Sequence, residues 1–78
     1  MKIYKDSNIT LKAKGLYFVI KTLKENNEKF TQKDLVRISD VGERALGSAM
    51  RELKENNYLT IKKENIDGIF YYEYILND

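Results

Sequence analysis

At residue 58 the spacing of apolar side chains changes from the period of a helix to that of a strand, and this change most narrows what the chain can fold into. Upstream, Ala13, Leu16, Val19, Ile20 and Leu23 share one face at helical spacing, and Leu46, Ala49, Met50 and Leu53 fall at i, i+3, i+4 and i+7. Downstream, Leu59 and Ile61 alternate with polar neighbours. Residues 69–76 are then dominated by aromatic and branched side chains, as strands prefer. Helices first and strands last make an α+β chain.

Local signals divide the helical part. Thr10 is an expected N-cap, and Asn26-Asn27 ends a first helix over 10–27, because asparagine tolerates the left-handed conformation. Thr31 caps a second helix over 31–38, with Asp34 where a capping box places its acid and Phe30 able to staple onto Leu35. Leu35 and Ile38 are its expected buried residues. Ser39-Asp40-Val41-Gly42 is a turn, and a third helix runs over 43–57, closed by Asn56-Asn57. Asp67-Gly68 suits the turn of a β-hairpin over 58–76. Residues 1–8 form an N-terminal extension, and a tiny extra strand near Lys29-Phe30 is expected to pair with the hairpin. Three helices alone would make a homeodomain-like bundle. The appended hairpin makes this a winged helix-turn-helix, one domain over 1–78.

Composition excludes more than it assigns. The 78 residues contain no cysteine and no histidine, which removes disulfides, thiolate catalysis, ordinary zinc sites and imidazole acid–base chemistry. No glycine-rich phosphate loop, nucleophile elbow or metal-ligand cluster stands in the sequence. The expectation is a protein that is no enzyme, without catalytic residues, metal, cofactor or small-molecule substrate. No apolar run approaches the roughly 20 residues of a membrane span, and Met1-Lys2-Ile3-Tyr4-Lys5-Asp6 lacks the stretch of a secretory signal. A soluble cytoplasmic protein without a membrane partner is expected. Charge is divided unevenly. Residues 1–24 carry six lysines against one acid, whereas 25–78 carry eight basic side chains against eleven acids. A basic N-terminal third suits a phosphate-facing edge or, equally, a solvated helix face. The preference for Lys, Asn, Ile, Tyr and Phe suggests an AT-rich bacterial or phage genome.

In a helix-turn-helix, a short helix braces a second one so that its outer face enters the DNA major groove. At about 100° per residue, the stripe opposite Leu46, Met50 and Leu53 is Arg44, Ser48, Arg51 and Glu55. Two guanidinium forks and a hydroxyl suit guanine edges and phosphates. The competing reading is that the arginines pair with Glu43, Glu52 or Glu55. Gly47, in the first turns, either lets DNA approach closely or is a tolerated surface glycine. Thr31, Gln32 and Lys33 at the start of the second helix make a phosphate seat, with Lys12 and Lys14 expected to flank the same strand. Lys62, Lys63 and Asn65 supply the wing contacts. Tyr71, Tyr72 and Tyr74 are expected to close the core beneath helices one and three, with base stacking as the alternative. Phe18, off the main stripe, suits a second core layer or a dimer contact.

With these segments placed, the chain resembles the winged helix-turn-helix domains at the N-termini of DnaD-like replication initiators of Gram-positive bacteria, their phages and plasmids. The resemblance is carried by Ile9-Thr10-Leu11-Lys12-Ala13-Lys14-Gly15-Leu16-Tyr17 and by Phe30-Thr31-Gln32-Lys33-Asp34-Leu35. Weaker matches run from Gly42 through Ala49-Met50-Arg51-Glu52-Leu53 to Tyr58-Leu59, and at Tyr72-Glu73-Tyr74. It implies DNA binding with the third helix as reader. Gly47 departs from that pattern, which commonly has a long basic or polar residue there. The further C-terminal domain of such initiators is not in this sequence, so transcription control and plasmid maintenance or transfer stand beside replication initiation. The expected partner is double-stranded DNA, held by a homodimer or by cooperative binding to repeated sites, since one small domain reads few base pairs. The rival is a winged helix used for protein–protein contact without DNA binding, motivated by the acidic excess after residue 25.

Overall fold

A computed structural model describes residues 2–77. Met1, the first residue of the expected extension, and Asp78 lie outside the described residues. A short 3-10 turn (Ile3–Lys5) precedes α1 (Leu11–Glu25), α2 (Gln32–Ser39), α3 (Glu43–Glu55), β1 (Leu59–Ile66) and β2 (Ile69–Leu76). Three helices followed by an antiparallel two-stranded hairpin give an α+β layout consistent with a winged helix. No helix among the described residues is long and apolar enough to cross a membrane.

The helix ends follow from their residues. Thr10 Oγ1 accepts from the Ala13 amide, and Thr31 forms a full capping box with Asp34. α1 and α3 stop in the same way. Asn27 and Asn57 take φ of 56° and 64°. Glu28 N–H then donates to Leu23 O, and Tyr58 N–H to Leu53 O, which satisfies carbonyls the last turn leaves open. Asp40, also left-handed, stops α2, and Asp67-Gly68 at φ 52° and 81° makes the tight hairpin turn.

The core gathers Ala13, Leu16, Tyr17 and Ile20 of α1, Leu35 of α2, Leu46, Ala49, Met50 and Leu53 of α3, and Leu59 of β1. The N-terminal segment belongs to it as well, since Ile3 is fully buried and Ile9 nearly so. Asp6 accepts a 2.6 Å hydrogen bond from the Tyr58 hydroxyl, which fastens that segment to the start of the hairpin.

Three expectations are corrected. Ile38 is 49% exposed. Leu35, Val36 and Ser39 face inward, so the buried direction of α2 is turned about 100° away from Ile38. Residues 29–30 form no strand. Asn27 turns the chain and Thr31 restarts it at once, so the link to the sheet is made by a side chain, the Phe30 ring 5.1 Å from that of Tyr74. Of the three tyrosines, only Tyr74 packs on the core, while Tyr71 and Tyr72 are more than half exposed. The hairpin is longer than the body it covers: Leu59, Ile61, Tyr74 and Leu76 lie against the core, and the next pairs stand beyond it. Phe18 is 40% exposed and meets Tyr17 edge-on at 5.7 Å.

Candidate nucleic-acid interface

α3 is two-sided because its apolar residues repeat at helical spacing. Burying Leu46, Ala49, Met50 and Leu53 leaves Arg44, Ser48 and Arg51 together on the outside, all exposed. Glu55 shares that face one turn beyond Arg51 without pairing to it, and Glu52, about a quarter-turn off the stripe, is engaged elsewhere. Glu52 accepts from the Thr10 backbone N–H and, at 2.9 Å, from the Thr10 hydroxyl, binding α3 to the first turn of α1. Among the described residues, neither Arg44 nor Arg51 takes part in an ion pair or a side-chain hydrogen bond, so the expected competition from Glu43, Glu52 and Glu55 is not what the geometry shows. An alanine methyl at Gly47 would meet nothing within 4 Å, so packing does not require glycine there.

The expected phosphate seat is differently disposed. At the start of α2, the Asp34 carboxylate already receives the Thr31 N–H at 2.9 Å and pairs with Arg37 at 2.8 Å. The hydrogen bonds from Thr31, with Arg37 beside them, hold the Asp34 carboxyl below its ordinary range. Gln32 and Lys33 remain exposed beside this occupied cap. Lys12 and Lys14 do not join them. Lys12 lines a groove with Ile38, Ser39 and Val41 at the far end of α2, and half-buried Lys14 donates to the Tyr4 carbonyl at 3.2 Å. Lys12 and Lys33 therefore lie towards opposite ends of the short helix, about 12 Å apart along its axis.

On the hairpin, Lys62, Lys63 and Asn65 are exposed. Successive residues of a strand face opposite ways, so Lys62 and Lys63 serve opposite faces of the ribbon. Lys62 stands across from Glu73, and Lys63 holds its ammonium 4.2 Å from the centre of the Phe70 ring.

Two features escaped the sequence reading. An apolar groove of about 360 Å³ runs between α1, the end of α2 and α3, flanked by Leu11 at 84% and Ile38 at 49% exposure. A second, wider groove lies between the hairpin and the α1–α2 connection, with Lys54 of α3 in its lining. Its lining includes Tyr71, Tyr72 and Tyr74 together with Thr31 and Gln32, so the aromatic run of the last strand was the sequence signal for it. Comparison of the chain with protein-family models, with curated proteins and with solved structures finds no match, and none of the three links it to replication initiators.

Proposed function

We propose that the chain is a non-enzymatic double-stranded DNA-binding protein of a bacterium or of its plasmid or phage, acting in the cytoplasm. The observation that carries this reading is the outer face of α3. Arg44, Ser48 and Arg51 stand there side by side, exposed and without acidic partners, while Glu52 is drawn inward to Thr10. A helix of this width fits the major groove, and two unengaged guanidinium groups suit guanine edges or phosphates. Lys62 and Lys63, on the two faces of the hairpin, add phosphate contacts on either side of it. The process served is replication initiation, transcription control or plasmid maintenance and transfer, with paired or repeated sites supplying the specificity that one domain lacks.

One observation favours the second reading, a protein-binding winged helix: the apolar groove flanked by exposed Leu11 and Ile38. A titration of labelled AT-rich duplex at several salt concentrations separates the two. DNA binding gives an affinity that falls steeply with salt as counterions are released, and absence of binding even at about 50 mM salt turns the assignment to a protein partner.

A further inference from the structure

The outer half of the hairpin presents more apolar surface than a phosphate-contacting wing requires. Ile66, Ile69, Phe70, Tyr71 and Tyr72 are each between 52% and 56% exposed. Phe70 and Tyr72 stand on the same face as Tyr74, by strand alternation, and all three line an open groove of about 930 Å³. Across that groove lie Phe30 and the end of the α1–α2 connection, including Lys29, and Lys54 of α3 adds a second cation. Lys24, also in the lining, is held by the Tyr74 carbonyl.

Planar rings and ammonium groups in one open trough match the two parts of an unpaired nucleic-acid strand. Its bases stack on aromatic faces whatever their identity, and its phosphates meet lysines. A duplex cannot use such a trough, because its bases already cover one another and offer no free ring face. An apolar surface alone would suit a partner protein or a second copy; the rings interleaved with lysines select the strand. We propose that the trough between the hairpin and the α1–α2 connection binds a short stretch of single-stranded nucleic acid, with Phe70 and Tyr72 as stacking platforms and Lys29 and Lys54 on the phosphates. Lys63, 4.2 Å from Phe70 and 5.9 Å from Tyr72, moves off the rings to the backbone when a base arrives. Glu28 and Glu73 share the lining, so stacking carries more of the binding than charge, and the salt dependence is shallower than for duplex. The site stands on its own and does not require the duplex reading. If both hold, the protein spans a junction, since Lys54 follows Arg51 by one helical turn.

The test uses the full chain with labelled oligo(dT) and oligo(U) of about twelve nucleotides, a length within the range one such site covers. With six tyrosines and no tryptophan, intrinsic fluorescence reports stacking directly. Binding with tyrosine quenching is expected. Phe70→Leu with Tyr72→Leu, which keeps apolar bulk but removes planarity, weakens binding about tenfold or more, whereas Tyr72→Phe stays near wild type. Both positions are solvent-exposed, and thermal melts of each variant report its fold. Duplex titrations run alongside show whether the leucine pair loses only the strand. The proposal is overturned if neither oligomer binds at about 50 mM salt, or if the leucine pair binds like wild type. It is equally overturned if the leucine pair abolishes a concentration-dependent dimer in a protein that binds no oligomer, which would assign the rings to self-association.

Discussion

α3 and the hairpin are both amphipathic by pattern, yet only α3 spends its whole apolar face on the core. Leu46, Ala49, Met50 and Leu53 are all buried, and the outer stripe opposite them is polar. The hairpin follows its own alternation as far as Ile61 and Tyr74, then continues with the same kind of residue into solvent. Periodicity states which side of an element is apolar and not whether anything lies against it. Where the body ends, the same pattern that builds a core becomes a surface, and such a surface invites a ligand.

Truncating one residue from each region should have very unequal consequences. Leu53→Ala, at a fully buried position, should lower stability by about 2–5 kcal/mol in urea unfolding, whereas Tyr72→Ala should change it by under about 0.5 kcal/mol. Similar losses would mean that the outer hairpin is packed after all. Glu52→Ala tests the inward turn of the acid beside the arginines. Removing the link to Thr10 should cost about 1 kcal/mol of stability without weakening duplex binding, and a gain in DNA affinity would show that Glu52 had been restraining the arginines.

Smaller effects sharpen the picture. Gly47→Ala should raise stability by up to about 1 kcal/mol, because the added methyl meets open space and the helix loses its most flexible residue. A drop in duplex affinity in that variant would mark position 47 as a point of close DNA approach. The smallest effect is acid sensitivity. The Asp34 carboxyl titrates below its unfolded value, so its contribution is present above that value and fades as pH falls through the folded one. Asp34→Asn should therefore flatten the loss of stability below about pH 4, measured by unfolding at stepped pH.

What was legible in the sequence was local. Thr10 and Thr31, the two asparagine pairs and Asp67-Gly68 each act within a few residues, and each appears where its chemistry places it. The outward stripe of Arg44, Ser48 and Arg51 was legible for the same reason, since one helix fixes both its sides. Tertiary facts were hidden. Ile38 is exposed because α2 turns Val36 inward. Tyr71 and Tyr72 are exposed because the hairpin outruns its support. Lys12 is separated from Thr31 by the length of a helix whose direction no local signal gives, and Lys14 is taken up by the Tyr4 carbonyl. Ile3 joined the core unseen, because a lone isoleucine in a basic segment carries no period.

If the outward face of α3 holds duplex DNA, the double variant Arg44→Ala/Arg51→Ala removes the side chains that grip it. Titrated against the same duplex as wild type across a range of salt, it should lose at least tenfold in affinity, on the scale of about 1–3 kcal/mol per arginine, with an unchanged melting temperature. Wild-type affinity in that variant would mean that α3 is not the DNA-holding face.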